Sequence, residues 1–389
     1  MRVLVFNEAP TTLLGGIWTE TRTLIKGLQA RGHSVALASD APLHGLDVDH
    51  FFISTARTER SVQELQGALA AFRPEVVHVL FAFVGGVLRY SKALHAHPWV
   101  LTCHSVPPHE WSSGVLHHPD WLHYLARAWR IRRPALGGML VYGLRIPPRI
   151  IVHSEVIGTH LRQRFFPRNR ISLIPFGYQA RPAGFSWPAL DDAAQSVPRL
   201  LTIAGITHTK GQHDVLSALP SVRQQYPALR YTMLGEVRDA SYLAFLKSRI
   251  AELGLASSVD FVINASREQV EQALASADLF VQPSHEEGFC LSYMEAAAQV
   301  PRLVGTRTGA MAAMSADDPG ARVVPVGHPK AIASAILDLL AAHLPPAHMR
   351  ERDERLAAAF DWSRYFDMHQ SVYEAEVERA RRRRRTGEN

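Results

Sequence analysis

Short apolar runs alternate along the chain with longer stretches of helical period. In the first half, "RVLVF" (2–6), "SVALAS" (34–39), "EVVHVL" (75–80), "WVLTCH" (99–104), "RIIVHS" (149–154) and "ISLIP" (171–175) are rich in Val, Ile and Leu. They are the length of strands rather than helices and read as strands buried on both faces. Between several of them lie amphipathic segments such as 19–31, with Gly32 as a helix-ending signal. The pattern breaks at "RPAGFSWPALDDAAQSVP" (181–198), which has neither period and is rich in Pro, Ala, Ser and Asp. That composition predicts an interdomain linker. Alternation resumes with "RLLTIAG" (199–205), "RYTMLG" (230–235), "SVDFVI" (258–263), "ADLFVQPS" (277–284), "PRLVGT" (301–306) and "ARVVPV" (321–326). The whole predicts an α/β chain of two βα domains, 1–180 and 199–360, each a parallel sheet with helices on its faces. Two such domains would form a cleft, and open α/β sheets bind ligands at the carboxyl ends of their strands. Candidate chemistry therefore belongs on the loops that follow the strands.

Composition narrows the classes of function. With 389 residues, 47% hydrophobic and 20% charged, the chain is globular and long enough for two sizeable cores. Cys103 and Cys290 lie far apart and form no CxxC pair, which speaks against a disulfide framework or a cysteine-rich zinc site and suits a reducing cytoplasm. The run after Met1 is too short for a signal-peptide core, and no stretch of about 18 apolar residues occurs. A soluble protein is expected, at most peripheral at the inner face of a membrane. The net charge of +6 owes much to the arginines at 381–385. That run reads as a solvated tail suited to anionic partners such as an anionic membrane; no nucleic-acid-binding module accompanies it, so nucleic acid is not an expected partner. The segment 115–149 places Trp121, Leu122, Leu125 and Trp129 at helical spacing beside Arg127, Arg130, Arg132 and Arg133. It reads either as an interfacial helix on anionic lipid or as a helix packed inside the first domain. His117, His118 and His123 lack carboxylate or cysteine company at ligand spacing, so no metal site is expected there.

Two loops carry the candidate chemistry. In "QPSHEEGFCLSYMEAAAQVP" (282–301) a strand at 278–281 leads through a turn into a predicted helix over 289–299. Backbone N–H groups near Gly288, Phe289 and Cys290 would sit at the positive helix end, which binds anions such as phosphate, and Gly288 permits close backbone approach. Glu287 would lie beside that anion, with Glu295 about 12 Å along the axis. Two acceptors flanking a phosphate site suit a diphosphate with a hydroxyl-rich group at each end, the shape of a nucleotide sugar; the alternative is a pair of solvated acids. In "IAGITHTKGQHDVLSAL" (203–219) a strand ends and Lys210 and Gly211 open a helix. GxxxxGK[ST] is absent, so this is no P-loop. Lys210 would serve either as a point charge on a diphosphate or as a solvated loop lysine. The two loops follow the first and fourth strands of one domain, which allows them to converge.

These residues resemble the retaining glycosyltransferases of family 4, which have the GT-B fold and carry two glutamates with seven residues between them within P-S-x-x-E-G-F-x-x-x-x-x-E-A. Here the motif is Pro283, Ser284, His285, Glu286, Glu287, Gly288 and Phe289, on to Glu295 and Ala296. The resemblance takes in 231–261 and "IPFGY" (174–178), and more weakly Gly15 and Gly16, "RGHSV" (31–35), "VVHVL" (76–80), "LTCHS" (101–105) and "IVHSE" (151–155). It implies two facing Rossmann-like domains, the first binding the acceptor and the second the nucleotide sugar, and a C-terminal helix at 361–380 crossing back to the first, with a basic tail at 381–389. It also implies that Glu287 holds hydroxyls of the donor hexose and Glu295 the nucleotide ribose. Lys210 would take the diphosphate with the helix N–H groups, the loop of Gly15 and Gly16 would close over it, and His104 would face the donor sugar near the anomeric carbon.

Some positions depart from the family pattern. Ala204, Gly205 and Ile206 stand where the family has Gly-Arg-Leu, so the arginine that grips the diphosphate is missing, and Arg307 is one candidate substitute. Gln299, Val300 and Pro301 replace Gly-x-Pro, Gly309 and Ala310 replace Gly-Gly, and Asn264 replaces a glycine. The implied activity is retaining transfer of a hexosyl unit from a nucleoside diphosphate sugar to a hydroxyl on a glycan, lipid-linked or small-molecule acceptor, in cell-surface glycan or polysaccharide biosynthesis. Donors arranged around the leaving diphosphate would stabilise its charge without a metal or other cofactor. Sugar phosphorolysis, nucleotide-sugar epimerisation and a non-catalytic sugar-nucleotide or glycan-binding protein are the alternatives, the last favoured by Gly205.

Overall fold

The computed structural model describes residues 1–11, 16–56, 58–81, 84–104, 148–163, 166–181, 197–345 and 347–386. The expected interfacial helix at 115–149, except its last two residues, the histidines at 117, 118 and 123, nearly all of the linker at 181–198, and Gly15 lie outside the described residues. The chain divides into two compact units. The first comprises Met1–Val106, Leu122–Phe176 and Trp362–Asn389, and the second includes Gly177–Asp361.

In the first unit the described elements are β1 (Arg2–Asn7), α1 (Gly16–Ala30), β2 (Ser34–Ser39), β3 (Asp49–Phe52), α2 (Glu59–Phe72), β4 (Val76–Phe81), α3 (Val84–Leu94), β5 (Trp99–Thr102), β6 (Ile150–Val152), α4 (Glu155–Gln163) and β7 (Ile171–Leu173). The strands form one parallel sheet in the order β3-β2-β1-β4-β5-β6-β7. Its central members are buried over nearly their whole length, Val3 to Phe6 being fully inaccessible, as expected where helices cover both faces. α1 turns Trp18, Thr21, Leu24, Ile25 and Leu28 inward, an i, i+3, i+4 stripe, and Gly32 leaves the helix at φ 79°. One member of that buried stripe is an acid, Glu20.

The second unit runs β8 (Arg199–Ile203), α5 (Gln212–Gln225), β9 (Arg230–Gly235), α6 (Ala240–Glu252), β10 (Val259–Ile263), α7 (Arg267–Ser276), β11 (Leu279–Gln282), α8 (Leu291–Ala297), β12 (Arg302–Thr306), α9 (Met311–Met314), β13 (Ala321–Val324), α10 (Pro329–Ala341) and α11 (His348–Ala359). Its parallel sheet has the order β10-β9-β8-β11-β12-β13. In both sheets the order reverses beside the first strand, between β1 and β4 and between β8 and β11, which is the doubly wound arrangement whose reversal point opens a crevice.

The last helix, α12 (Trp362–Thr386), belongs to the first unit. The Phe366 ring lies against Gly27 of α1, where an added Cβ would come 2.0 Å from Cε1, and the Tyr373 hydroxyl meets His78 Nδ1 of β4 at 2.7 Å. The arginines at 381–385, expected as a tail, are the exposed final turns of this helix. Among the described residues no helix is long and apolar enough to cross a membrane.

Each expected strand overlaps an observed one, but β3 has no counterpart in the sequence reading. Its four residues, DHFF, are polar at the start and sit at the sheet edge, so they lack the apolar run that marks the buried strands. α1 starts three residues earlier than expected, at Gly16.

Candidate active site

β8 and β11 are neighbours at the reversal point, so the loops that follow them emerge side by side. The first loop passes through a 3-10 turn, His208–Lys210, to Gly211 at φ 65°. A Cβ on Gly211 would fall 2.1 Å from the Pro283 carbonyl oxygen; both the positive φ and the approach of the second loop require glycine. The loops are stitched together by the His285 N–H donating to Thr209 O at 2.8 Å and by His285 Nε2 against Asp214 Oδ2 at 2.6 Å. Across this seam the Lys210 ammonium reaches Glu287 Oε1 at 2.7 Å. The same oxygen accepts from the Ser284 hydroxyl at 2.7 Å and from Gln282 Nε2 at 3.3 Å, while Thr306 Oγ1 donates to Ser284 O at 2.5 Å and steadies the turn. Burial alone would push the Lys210 ammonium down. The Glu287 carboxylate beside it outweighs that and holds its pKa above the ordinary lysine value.

The second loop differs in detail from the expected helix over 289–299. Cys290 adopts φ 85° and caps α8, which begins only at Leu291 and has seven residues. The N–H groups of Gly288, Phe289 and Cys290 thus belong to the loop before the helix, and only Leu291 to Glu295 of the separation between the two glutamates is helical, about 6 Å of rise. Phe289 and Cys290 are buried. The Phe289 ring packs edge-on to Phe360 at 5.8 Å and its carbonyl accepts from Ala310 N–H at 2.9 Å, so the Phe289 side chain supports the loop. Burial, then the Glu287 charge, raises the Cys290 thiol pKa, which leaves it a protonated, unreactive thiol. Gly309, at φ 55°, lies so close that a Cβ would meet Phe289 O at 2.7 Å and Glu287 Cβ at 2.9 Å. Glu295 keeps 42% of its side chain exposed, with Arg267 Nη1 3.5 Å away.

At Gly205, the position of the missing arginine, the space is occupied from the next strand. An added Cβ would be 3.0 Å from both Cδ and Nε of Arg238, which follows β9 and pairs with Glu236 at 3.2 Å. A parallel bridge between Ile206 and Val237 holds the two segments together. Arg307, the substitute named from sequence, is exposed.

The first unit has its own polar centre. His104, two residues beyond β5, directs Nε2 to Leu80 O at 2.8 Å and Nδ1 to Glu20 Oε2 at 3.4 Å. The other oxygen of Glu20 meets His153 Nε2 at 2.8 Å, and His153 Nδ1 meets Ile174 O at 2.7 Å. Burial drives the His104 pKa down against the pull of Glu20. Burial would also raise the Glu20 carboxyl, yet His153 and then His104 bring it below the ordinary range; His153, opposed by burial, is held up by Glu20. Gly16 is the exposed first residue of α1.

Two groups among the described residues bring ligand-type atoms within 4.8 Å of one another: Glu20, His104 and His153, and His213, Asp214 and His285. In each, a carboxylate oxygen and an imidazole nitrogen are already joined, at 2.8 and 2.6 Å. Those are hydrogen-bond distances, so in each group one pair is already joined through a proton.

Sequence reading singled out Lys210, Glu287 and His104, and the structure brings Lys210 and Glu287 into contact. It missed Glu20, His153, Asp214, His285 and Arg238. The unexplained glycine at 205 was the available signal for Arg238; for the others the signal was polar residues at strand ends or on a buried helix face.

Comparison with known proteins gives the family. Residues 14–180 match the family described as Glycosyltransferase Family 4, and residues 192–356 match Glycosyl transferases group 1. A glycogen synthase of Mycobacterium tuberculosis is 24% identical over 96% of this chain and 94% of its own. A GDP-mannose-dependent alpha-(1-6)-phosphatidylinositol monomannoside mannosyltransferase of Mycolicibacterium smegmatis is 30% identical over 37% of this chain and 39% of its own. Among solved structures, Anabaena Alr3699/HepE in complex with UDP and glucose superposes with a TM-score of 0.70 at 16% identity, covering 96% of this chain and all of that one. Two doubly wound α/β units, two family matches that between them span most of the sequence, and a full-length structural likeness together place this chain among the group 1, family 4 glycosyltransferases of the GT-B fold.

Proposed function

We propose that this glycosyltransferase transfers a hexosyl unit, with retention of anomeric configuration, from a nucleoside diphosphate sugar to a hydroxyl of a glycan, lipid-linked or small-molecule acceptor. The Lys210–Glu287 contact at the sheet reversal point carries this reading. It sets a cation and a hydroxyl-binding acid side by side, the pair of charges that a sugar diphosphate needs. Lys210 neutralises the diphosphate together with the loop amides of Gly288, Phe289 and Cys290, Glu287 orients the hexose hydroxyls, and the half-exposed Glu295 accepts from the ribose. Arg238 supplies the second cation, in place of an arginine at 205 and in preference to Arg307. From the sequence resemblance, Gly15 and Gly16 bind the donor and His104 faces the sugar.

The reaction balances without a metal. The anomeric C–O bond to the diphosphate breaks as the acceptor oxygen bonds the same carbon on the same face, and the acceptor proton passes to the leaving phosphate oxygen. Fixed cations beside the diphosphate lower the barrier by stabilising the charge that develops on it. A general acid/base pair of carboxylates is not required, and Glu287 orients rather than attacks. The likeness to a glycogen synthase and to a structure in complex with UDP and glucose supports a role in polysaccharide or cell-surface glycan synthesis, with the exposed arginines at 381–385 suited to an anionic membrane surface at the cytoplasmic side.

Incubation with radiolabelled UDP-, GDP- and ADP-hexoses and a mixed acceptor pool, with and without EDTA, tests the reading. EDTA-insensitive release of one nucleoside diphosphate, matched by α-linked label in an acceptor after an α-configured donor, is the expected result. Release of a sugar 1-phosphate, or binding with no turnover, would replace it by phosphorolysis or by a binding protein.

A further inference from the structure

We propose that Glu20 and His153 are positioning residues for His104: the Glu20 carboxylate, held by His153, faces Nδ1 of a ring whose Nε2–H is fixed by Leu80 O, and it sets the charge felt there. This rests on the reading of His104 as the histidine that faces the donor sugar. Glu20 stands on the apolar stripe of α1 and is 1% exposed. A buried carboxylate is costly unless paired, and apolar residues usually serve packing better, so packing alone gives no reason for an acid there.

The hydrogen bonds define the device. Leu80 O and Ile174 O can only accept, so His104 Nε2 and His153 Nδ1 must each carry a proton. The remaining nitrogens, His104 Nδ1 and His153 Nε2, are thereby turned onto opposite oxygens of Glu20. His153 is itself immobilised by Phe176, whose ring centroid lies 4.2 Å away. The chain of contacts joins α1 to the segments after β5 and β6, so a shift of Glu20 is transmitted to the ring of His104. Other titratable groups packed around the cluster are neutral near pH 7. Burial lowers His78 and His369, and burial raises Tyr365 and Tyr373. Among the described residues, the charges of Glu20 and His153 act on His104.

The test is imidazole 15N NMR combined with kinetics. In the wild-type protein at neutral pH, His104 is expected as the neutral Nε2–H tautomer. Glu20→Gln, which keeps the size and removes the charge, is expected to lower the His104 pKa further, to move the acidic limb of the kcat profile with it, and to reduce kcat at least about tenfold with donor KM altered less than about threefold. If that variant does not fold, His153→Gln supplies the comparison with the opposite sign: it removes the charge that lowers His104, whose pKa is then expected to rise. An Nδ1–H tautomer in the wild type would overturn the proposal. So would unchanged His104 titration and an unchanged pH profile in Glu20→Gln while His104→Ala abolishes transfer. Full transfer by His104→Ala would instead overturn the reading of His104 itself.

Discussion

Lys210 and Glu287 meet at 2.7 Å across two loops separated by 77 positions in sequence. Each comes from the carboxyl end of one of the two strands, β8 and β11, that adjoin at the sheet reversal. The contact keeps the ammonium charged despite burial, because the carboxylate raises the lysine pKa. The sign of that shift matters: the stabilisation is complete below the ordinary lysine pKa and is lost only as pH rises through the raised value. Lys210 therefore contributes no pH dependence to donor binding between about pH 6 and 9.

Arg238 and Arg307 are distinguished by position. Arg238→Ala is expected to weaken nucleoside diphosphate binding about tenfold or more, about 1.4 kcal/mol, and Arg307→Ala by less than about twofold. Titration calorimetry with the preferred nucleotide measures both. The reverse order of effects would restore Arg307.

The first unit is expected to lose stability in mild acid. His104, His78 and His369, the last lowered to about 4, are held neutral by burial, so below about pH 6.5 the unfolded chain binds protons that the native state refuses. Glu20, lowered, adds to the loss as pH falls below the ordinary carboxylate range. His153, raised, acts the other way, its contribution being full below about 6.5 and lost as pH rises through its higher folded value. With His33, His50 and His97 also lowered, six lowered histidines of this unit against one raised predict a Tm that falls from pH 7 to pH 5, with a shallower fall in His369→Gln. A flat Tm across that window would contradict the buried-neutral assignment.

Arg352 anchors the far end of α8. It is 1% exposed, pairs with Asp318 at 2.5 Å and donates to Val300 O and Pro301 O at 2.7 and 2.8 Å. Arg352→Met removes one partner of a buried pair and is expected to destabilise by about 3–5 kcal/mol, read as a lowered midpoint in urea. Arg355, which also reaches Asp318 at 3.1 Å, limits the loss.

The parts legible in the sequence were those governed by local pattern. Apolar runs located the buried strands, because parallel strands buried on both faces show as continuous Val, Ile and Leu, and the E-x7-E spacing marked the loop between β11 and α8. What depends on through-space packing was not legible. Cys290 enters the left-handed region, so α8 starts two residues late, and no residue-type signal marks a cysteine for that conformation. Gly205 reads in the sequence as a lost arginine, whereas Arg238, from the segment after β9, packs against it. Glu20 looked like an ordinary helix acid, since only the fold brings His153 to it across 133 positions.

The central claim, that the seam between the β8 and β11 loops holds a sugar diphosphate, is tested most directly by titrating nucleoside diphosphate sugars into the wild type and Lys210→Met by calorimetry. One nucleotide sugar is predicted to bind the wild type with 1:1 stoichiometry, and its affinity should fall about 10- to 100-fold in Lys210→Met, about 1.4–2.8 kcal/mol, with the native fold retained by circular dichroism. Equal affinity in the two proteins, or binding of none of the nucleotide sugars to the wild type, would contradict it.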